Sequence, residues 1–448
     1  MDSLPKSLLY YTSQISNFTR NCVKVNSLNQ TTLASNGVSQ IRVAMPVNSV
    51  LNLKSLSMHG VVSTTGAVAT DTNVQNHALI PKGGISALLE RVTWSAGGVS
   101  LDNGPVPYNI IYAVKENLEK GNQKSMSDDR VLQQSNIEDK DSLQEQVGDK
   151  AVPAFGQQKR LIQNNFLGFS ECHPTYLDMS LLPECFLTMQ CGPGSLLPLQ
   201  PSGDTTIGDA AHAGGRNVNF SIDEIFFTVE VCQIGSGMYD ALTQRLLAER
   251  GSIDVPYPAY QTFSTTTGKD TGVANVRGSI SCMSLDRMYA IARENSYNVA
   301  SEPATCADAV GSKYQQKSIN FGSFDLKSWQ FSLNNAPMPM YPADPVDAYN
   351  FAVCAEDRTY SKNRGSQVSS QAEWLTNKWC ATQRLCLDND PTRLSGVNLS
   401  SINATMVFQV VTNGKAADQP AAGLEMMLIT QQKSVLRIGQ SRAVAVVA

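Results

Sequence analysis

The sequence has no long apolar run and few charged side chains. None of its apolar segments approaches the roughly 18 residues that a membrane-spanning helix needs. The first residues include Asp2 and Pro5 and lack the apolar core and cleavage site of a secretory signal peptide, so we expect none there. Charged residues make up 17% of the chain and its net charge is −4, so no global positive field attracts nucleic acid or anionic lipid. The sequence therefore predicts no specific nucleic-acid recognition.

The motifs of common enzymes and metal sites are also missing. Neither HExxH nor CxxC occurs, and no two of the four histidines lie at ligand spacing on a helix: His59, His77, His173 and His212. Two cysteine pairs are six residues apart, too wide for a zinc knuckle: Cys185 with Cys191, and Cys380 with Cys386. We predict no enzyme, with no catalytic, cofactor-binding or metal-binding residue. An Asp/Glu pair brought together by folding, as in sandwich enzymes that act on sugars, stays open.

The ten cysteines are dispersed, and several lie inside apolar patterns, such as Cys232 and Cys354. Because no signal peptide is expected, we interpret them as reduced, mostly buried thiols and not as a disulfide framework.

The sequence does contain many segments with the residue pattern of β-strands. It is rich in Ser, Thr, Asn, Gln and Gly, and apolar residues alternate or cluster in short runs bounded by turn residues. The predicted strands include residues 39–45, 51–62, 85–94, 225–232, 328–333, 404–411 and 424–430, and the diglycine Gly97-Gly98 predicts a tight reversal. Helical spacing is found only at 108–114, 238–250, 285–293 and near Trp374 to Trp379. Residues 63–84 are expected to form a loop, and the charged residues 116–150 an exposed, mobile excursion.

The middle of the chain predicts a division into two halves. After the strand at 225–232, Met238, Leu242 and Leu246 repeat at helical spacing, and Gly251 stands at the expected C-terminal cap. Pro256 and Pro258 then argue against a helix or a central strand, so residues 253–260 are interpreted as a connector. A chain of 448 residues also exceeds what one core usually serves. We predict one unit with an N-terminal arm at 1–235, a connecting helix at 236–252 and a second unit with a C-terminal arm at 253–448.

Three segments resemble the double jelly-roll major capsid proteins of tailless icosahedral double-stranded DNA viruses, of the Polinton-like virus, adintovirus and virophage type. The first segment is GISALLERV at 84–92 with Gly97-Gly98 and Tyr108-Asn109. The second is FTVEV at 227–231, the helix after it and IDVPY at 253–257. The third is WQFSLNN at 329–335 with its proline-rich continuation. These segments span most of the chain, which is nevertheless compact for that group, so outward loops should be short.

The resemblance implies an all-β fold of two consecutive eight-stranded antiparallel jelly rolls joined by a short helix, with few helices in loops. It implies a major capsid protein that forms homotrimers, pseudo-hexagonal capsomers and an icosahedral shell around double-stranded DNA. Implied partners are further copies and neighbouring capsomers, and minor capsid, cement or penton proteins. A membrane or the genome would lie at the inner face. The expected location is the virion, after synthesis in the host cytoplasm.

Two other functions stay open. One is a carbohydrate-binding or carbohydrate-cleaving β-sandwich, which would need a groove with aromatics and paired acids, and the sequence has only four tryptophans. The other is a minor or vertex capsid protein, for which one roll would suffice. Both chain ends are apolar, so at residues 1–20 and 436–448 we expect either an extra strand or helix on the same chain or an arm that contacts a neighbour.

Overall fold

A computed structural model gives the fold. The residues that it describes are 18–35, 40–47, 49–65, 77–78, 84–102, 107–119, 158–164, 166–196, 199–200, 219–234, 244–245, 247–269, 271–295, 319, 321–355, 374–375, 378–400, 402–414 and 423–447. They form mainly antiparallel β-structure, which confirms the predicted all-β class.

The first half of the chain forms a six-stranded, a four-stranded and a two-stranded sheet. Its strands are β1 (Phe18–Asn26), β2 (Leu33–Ala34), β3 (Gln40–Ala44), β4 (Val50–Thr65), β5 (His77–Ala78), β6 (Leu89–Ala96), β7 (Val99–Ser100), β8 (Gln158–Gln163), β9 (Tyr176–Asp178), β10 (Cys185–Cys191), β11 (Leu199–Gln200) and β12 (Asn219–Ile234). Helix α1 (Ile85–Leu88) and helix α2 (Tyr108–Glu119) precede β6 and β8. The six-stranded sheet has the order β1-β12-β4-β8, completed by the short strands β2 and β9, and the four-stranded sheet has the order β3-β10-β6-β7.

The second half repeats this arrangement. Its strands are β13 (Ser252–Thr267), β14 (Val273–Ile280), β15 (Leu285–Glu294), β16 (Leu326–Leu333), β17 (Ala336–Ala343), β18 (Ala381–Arg384), β19 (Ala404–Thr412), β20 (Leu424–Gly439) and β21 (Val444–Val447), with helix α3 (Asp347–Ala355) after β17. The sheets have the orders β13-β20-β15-β18 and β14-β19-β16-β17. In each half, the eight main strands alternate between the two larger sheets except for the fourth and fifth, which form a hairpin in one sheet, and both halves have the same order, which is that of a jelly roll. We call the halves the first roll and the second roll.

The duplication extends to a turn. Gly97 and Gly98 join β6 to β7, and both have positive φ, 55° and 82°. Asn334 and Asn335 join β16 to β17 with φ of 50° and 65°. Two residues of positive φ between antiparallel strands form the turn that matches strand twist, and glycine and asparagine adopt it at least cost. The predicted reversal at the diglycine is confirmed, and its counterpart lies at the same place in the second roll.

Several strand predictions are confirmed, and others are corrected. Strands β3, β16 and β19 lie where alternation predicted them, and β4 continues through the predicted loop start to Thr65. Residues 85–88 are helical, so that the predicted strand begins only at Leu89. The predicted short helix at 108–114 extends to Glu119, and Lys115 and Glu116 are buried, so the predicted exposed excursion was wrong at its start. Residues 120–150 of that prediction lie outside the described residues.

The helix predicted at 285–293 was wrong, because these residues form β15. Nine of its ten residues are buried, among them the charged Asp286, Arg287 and Arg293, so both faces of the strand are covered and the alternation that marks a strand is lost. The connector predicted at 253–260 was also wrong, since Pro256 and Pro258 lie inside β13. This strand is at the edge of its sheet, where a proline removes no ladder hydrogen bond.

The segment between the rolls is helical where it is described, at 244–245 and 247–250, and its earlier residues lie outside the described ones. Gly251, with φ of 74°, donates its N–H to the carbonyl of Leu247, as expected for the predicted C-terminal cap. The division of the chain at 236–252 stays a prediction. Near Trp374 to Trp379, only Trp374 and Leu375 are helical among the described residues.

The C-terminal end of the chain is described almost completely, whereas the first residues at the N-terminus are not. The C-terminal residues form β21, which pairs with β20 from Val435 to Ile438, so this end packs on its own chain. At the N-terminus, β1 pairs with β12, and residues 1–17 lie outside the described ones. Nine of the ten cysteines are described, none of them in a disulfide, and seven of these nine are buried.

Candidate assembly surfaces

Within the described ranges, no group of three or more His, Cys, Asp or Glu side chains is placed to hold a metal ion. No helix among these residues is long and apolar enough to cross a membrane. The prediction that the chain has no catalytic residue stays a prediction.

The two rolls share buried apolar contacts, which we call the inter-roll interface. The ring of Tyr257, on β13, packs edge-on against Phe169 of the first roll at 5.3 Å between centroids, and Phe169 packs against Trp94 at 5.8 Å. The Tyr257 hydroxyl donates a 2.6 Å hydrogen bond to the carbonyl oxygen of Leu101. Strand β13 thus closes part of the core of the first roll.

Helix α2 makes the second part of the inter-roll interface. Its residues Ile110, Ile111 and Val114 belong to the same buried cluster as Tyr289 and Ile429 of the second roll. The ammonium group of Lys115 lies 5.9 Å from the centroid of the Tyr289 ring. A helix of the first roll therefore packs on the β13-β20-β15-β18 sheet, whose strand β15 is buried on both faces.

A small cavity of about 30 Å³ lies at this interface, lined by Arg91, Val92, Thr93, Asp102, Tyr108, Ile111, Leu167, Gly168 and Tyr260. The Asp102 carboxylate accepts a 2.6 Å hydrogen bond from the backbone N–H of Trp94. Burial raises the pKa of Asp102 to about 6, and the Trp94 hydrogen bond opposes this shift. The cavity has room for a water molecule but is about ten times smaller than a typical ligand site.

The β1-β12-β4-β8 sheet of the first roll, which corresponds to the β13-β20-β15-β18 sheet of the second, carries a polar, partly exposed outer face. The Phe226 ring stacks on His59 at 4.5 Å between centroids and an interplanar angle of 7°, and the ammonium group of Lys24 lies 4.3 Å from the Phe226 centroid. Arg20 on β1 forms an ion pair and a hydrogen bond with Glu230. This hydrogen bond is the main reason that the pKa of Glu230 is lowered. Strand β1 is exposed from Thr19 to Lys24.

The second roll exposes apolar side chains on its outside. Met340 and Tyr341 on edge strand β17 are 92% and 51% exposed, and Leu387 is 89% exposed. Prolines at 337, 339 and 342 interrupt the hydrogen-bonding groups of β17, which protects a free edge against unwanted strand pairing. Helix α3 buries Ala348 and Ala352 in its own roll and exposes Asn350 and Cys354.

Comparison with known proteins was informative only at the level of structure. No protein-family model and no curated protein matches the chain. The PBCV-1 VP54 structure fitted into a reconstruction of the virophage Sputnik aligns with a TM-score of 0.59 at 14% identity, covering 98% of both chains. The chain shares the double jelly-roll fold.

Two further structures support this likeness. The Faustovirus major capsid protein aligns with a TM-score of 0.58 at 11% identity, covering 96% of this chain and 92% of that one. The mavirus major capsid protein aligns with a TM-score of 0.51 at 8% identity, covering 100% and 95%. The predicted double jelly roll is therefore confirmed, and the similarity includes both rolls. The sequence could not reveal the inter-roll interface, because Tyr257 and Leu101 are 156 residues apart.

Proposed function

We propose that this chain is the major capsid protein of a tailless icosahedral double-stranded DNA virus. One observation carries the proposal: double jelly-roll proteins, among them two named as major capsid proteins, align over nearly the whole of both chains, and no large part of this chain is left for another task. The chain is in this proposal a structural unit without catalytic activity, located in the virion shell after synthesis in the host cytoplasm.

In the proposed assembly, three chains form a homotrimer. Each chain contributes two rolls, so that the trimer presents six similar walls and tiles as a pseudo-hexagon. A closed arrangement of this kind buries on the order of 2,000–5,000 Å² at each obligate interface. The net charge of −4 keeps repulsion between copies low. Neighbouring capsomers and minor, cement or penton proteins are its further partners.

The test is the oligomeric mass of the purified full-length chain by analytical ultracentrifugation, together with negative-stain images. We expect three times the mass of one chain and hexagonal particles. A monomer whose melting temperature rises with added sugar would instead support the carbohydrate-binding function. A pentamer would support a vertex protein and would overturn the proposal.

A further inference from the structure

The two rolls differ in how their first strands are covered. Strands β1 and β13 are each the first strand of a roll and lie at a sheet edge beside the last strand, β12 or β20. All nine residues of β1, 18–26, pair with 226–234, and β13 pairs over sixteen residues, of which the first nine, 252–260, pair with 431–439. Counted from the first pair, Val23 occupies the position of Tyr257. The two strands are therefore equivalent in topology and in register.

The equivalent positions have opposite environments. Tyr257 is 1% exposed, because Phe169 and Leu101 of the first roll cover it. Val23 is 37% exposed, and its neighbours on β1 are exposed as well. Val25 alone on this strand packs partly against the core. The first roll thus presents an open surface where the second roll has the inter-roll interface.

The segment of the first roll that covers β13 has a counterpart in the second roll. In the first roll, the chain between β7 and β9 supplies Leu101, α2 and Phe169 to the interface. In the second roll, the chain after β17 contains α3, which buries one face in its own roll. Its other side exposes Asn350 and Cys354, and Val346 just before the helix is exposed as well. Helix α3 therefore has the same place in the strand order of the second roll, between β17 and β18, as α2 has between β7 and β8, but it presents its outer side to solvent.

We propose that β1 of one copy is covered by α3 and its adjoining loop from the second roll of another copy, in the way that the first roll covers β13 within the chain. This inference rests on the proposed self-association and names its contact surface. The contact is heterologous, joining two different surfaces, and such contacts form a closed ring when the rotation from copy to copy closes. Charge also favours this contact, because β1 carries the exposed Lys24 whereas Asp344 and Asp347 lie at the start of α3, and Arg20 is already paired with Glu230.

Native cysteines allow a direct test. Cys22 on β1 and Cys354 on α3 are the exposed ones among the described cysteines, and Cys306, which lies outside the described residues, is first replaced by Ser. The oligomer is treated with a short bismaleimide and analysed by denaturing electrophoresis and peptide mass spectrometry. We expect a Cys22–Cys354 link between different chains, lost in both Cys22→Ser and Cys354→Ser. A link that persists in Cys354→Ser, or a trimer that gives no link, overturns the inference while self-association stands.

A substitution at the surface gives an independent measurement. Val23→Asp should raise the dissociation constant of the oligomer roughly tenfold or more, because a buried aliphatic contact is replaced by a charge. The melting temperature of the dissociated chain should change little, since Val23 is partly exposed on an edge strand. Val273→Asp is the matched control, because Val273 is a 50% exposed valine on edge strand β14. Equal dissociation constants for both variants would overturn the inference. If the unaltered chain never oligomerises, the proposed function fails as well.

Discussion

The hydroxyl of Tyr257 in the second roll donates to the carbonyl oxygen of Leu101 in the first, at 2.6 Å in a buried environment. This hydrogen bond joins two residues that belong to different jelly rolls, and the ring of Tyr257 lies in the same buried cluster as Trp94 and Phe169. Because the core of the first roll includes residues of the second, we expect the two rolls to unfold in one cooperative transition.

Tyr257→Phe should lower the free energy of unfolding by about 1–3 kcal/mol, because it leaves the Leu101 carbonyl buried without its hydrogen bond. Denaturant unfolding followed by circular dichroism measures the change. Tyr341→Phe is the control, since Tyr341 is 51% exposed and should stay within about 0.5 kcal/mol of the unaltered chain. Equal stability of the two variants would contradict the importance of this hydrogen bond.

Asn335→Val should destabilise the second roll by about 1–2 kcal/mol, because a β-branched residue is strained at φ of 65°. Asn335→Gly should be within a few tenths of a kcal/mol of the unaltered chain, since glycine adopts this conformation freely. Thermal unfolding of both variants measures the difference. If Val and Gly are tolerated equally, the turn between β16 and β17 is not of the described type.

Trp329→Ala should cost about 3–5 kcal/mol, because the side chain is 1% exposed and packs against Phe331 and Phe351 at 5.7 Å and 5.4 Å. Its indole N–H also donates to the carbonyl of Asp344. Phe408→Ala, in the adjacent strand β19, should have a similar cost. Denaturant unfolding measures both, and unchanged stability of either variant would mean that the strand faces are assigned wrongly.

Asp102→Asn should change how stability depends on pH. The pKa of Asp102 is raised from 3.8 to about 6 in the folded chain. The contribution of this group to the free energy of unfolding is therefore fully present below pH 3.8 and is lost as pH rises through 6. The Asn side chain keeps an oxygen for the Trp94 N–H and carries no charge. Between pH 4 and pH 7, the Asn variant should therefore gain on the order of 1 kcal/mol relative to the unaltered chain, allowing for partial exposure. Parallel stability curves for the two proteins would refute this.

Deleting residues 1–17 should leave the subunit folded and weaken the trimer or the shell. The deletion stops before β1 and so keeps the ion pair between Arg20 and Glu230. We expect a melting temperature within about 2 °C of that of the full chain and a lower yield of assembled particles. If the truncated chain has a much lower melting temperature as a monomer and still assembles normally, residues 1–17 stabilise the fold of the subunit and the prediction is wrong.

Alternation between buried and more exposed residues predicted some strands, although β10 and β14, which alternate as well, were not predicted. Strand β16 was found because Trp329, Phe331 and Leu333 face the core and alternate with more exposed residues. Strand β15 was missed because both of its faces are buried, and Arg293 is neutralised there by Glu425 at 2.6 Å, an arrangement that the sequence alone does not show.

Long-range contacts limited the prediction of β20 in the same way. Only its first seven residues were predicted, since Gln431, Gln432 and Lys433 interrupt the apolar run. Lys433 is nevertheless buried, because its ammonium group donates to the carbonyl oxygens of Asp390 and Arg393 at 2.8 Å and 2.6 Å. The contrast between Val23 and Tyr257 was likewise beyond the sequence, because it depends on which roll covers which strand.

The segment at 235–251 joins β12 to β13 and so links the two rolls covalently, which reduces the entropy lost in the proposed assembly. It holds the two surfaces of the inter-roll interface at high effective concentration, so this contact forms without bringing separate molecules together. Six single rolls would lose translational and rotational freedom in five successive associations, at a cost of about 4–15 kcal/mol for each. In the proposed trimer, three fused pairs of rolls would lose it only in the two associations that bring the three chains together. The contacts between copies can then be weaker than in a six-chain ring and remain reversible, which allows misplaced subunits to leave a growing shell.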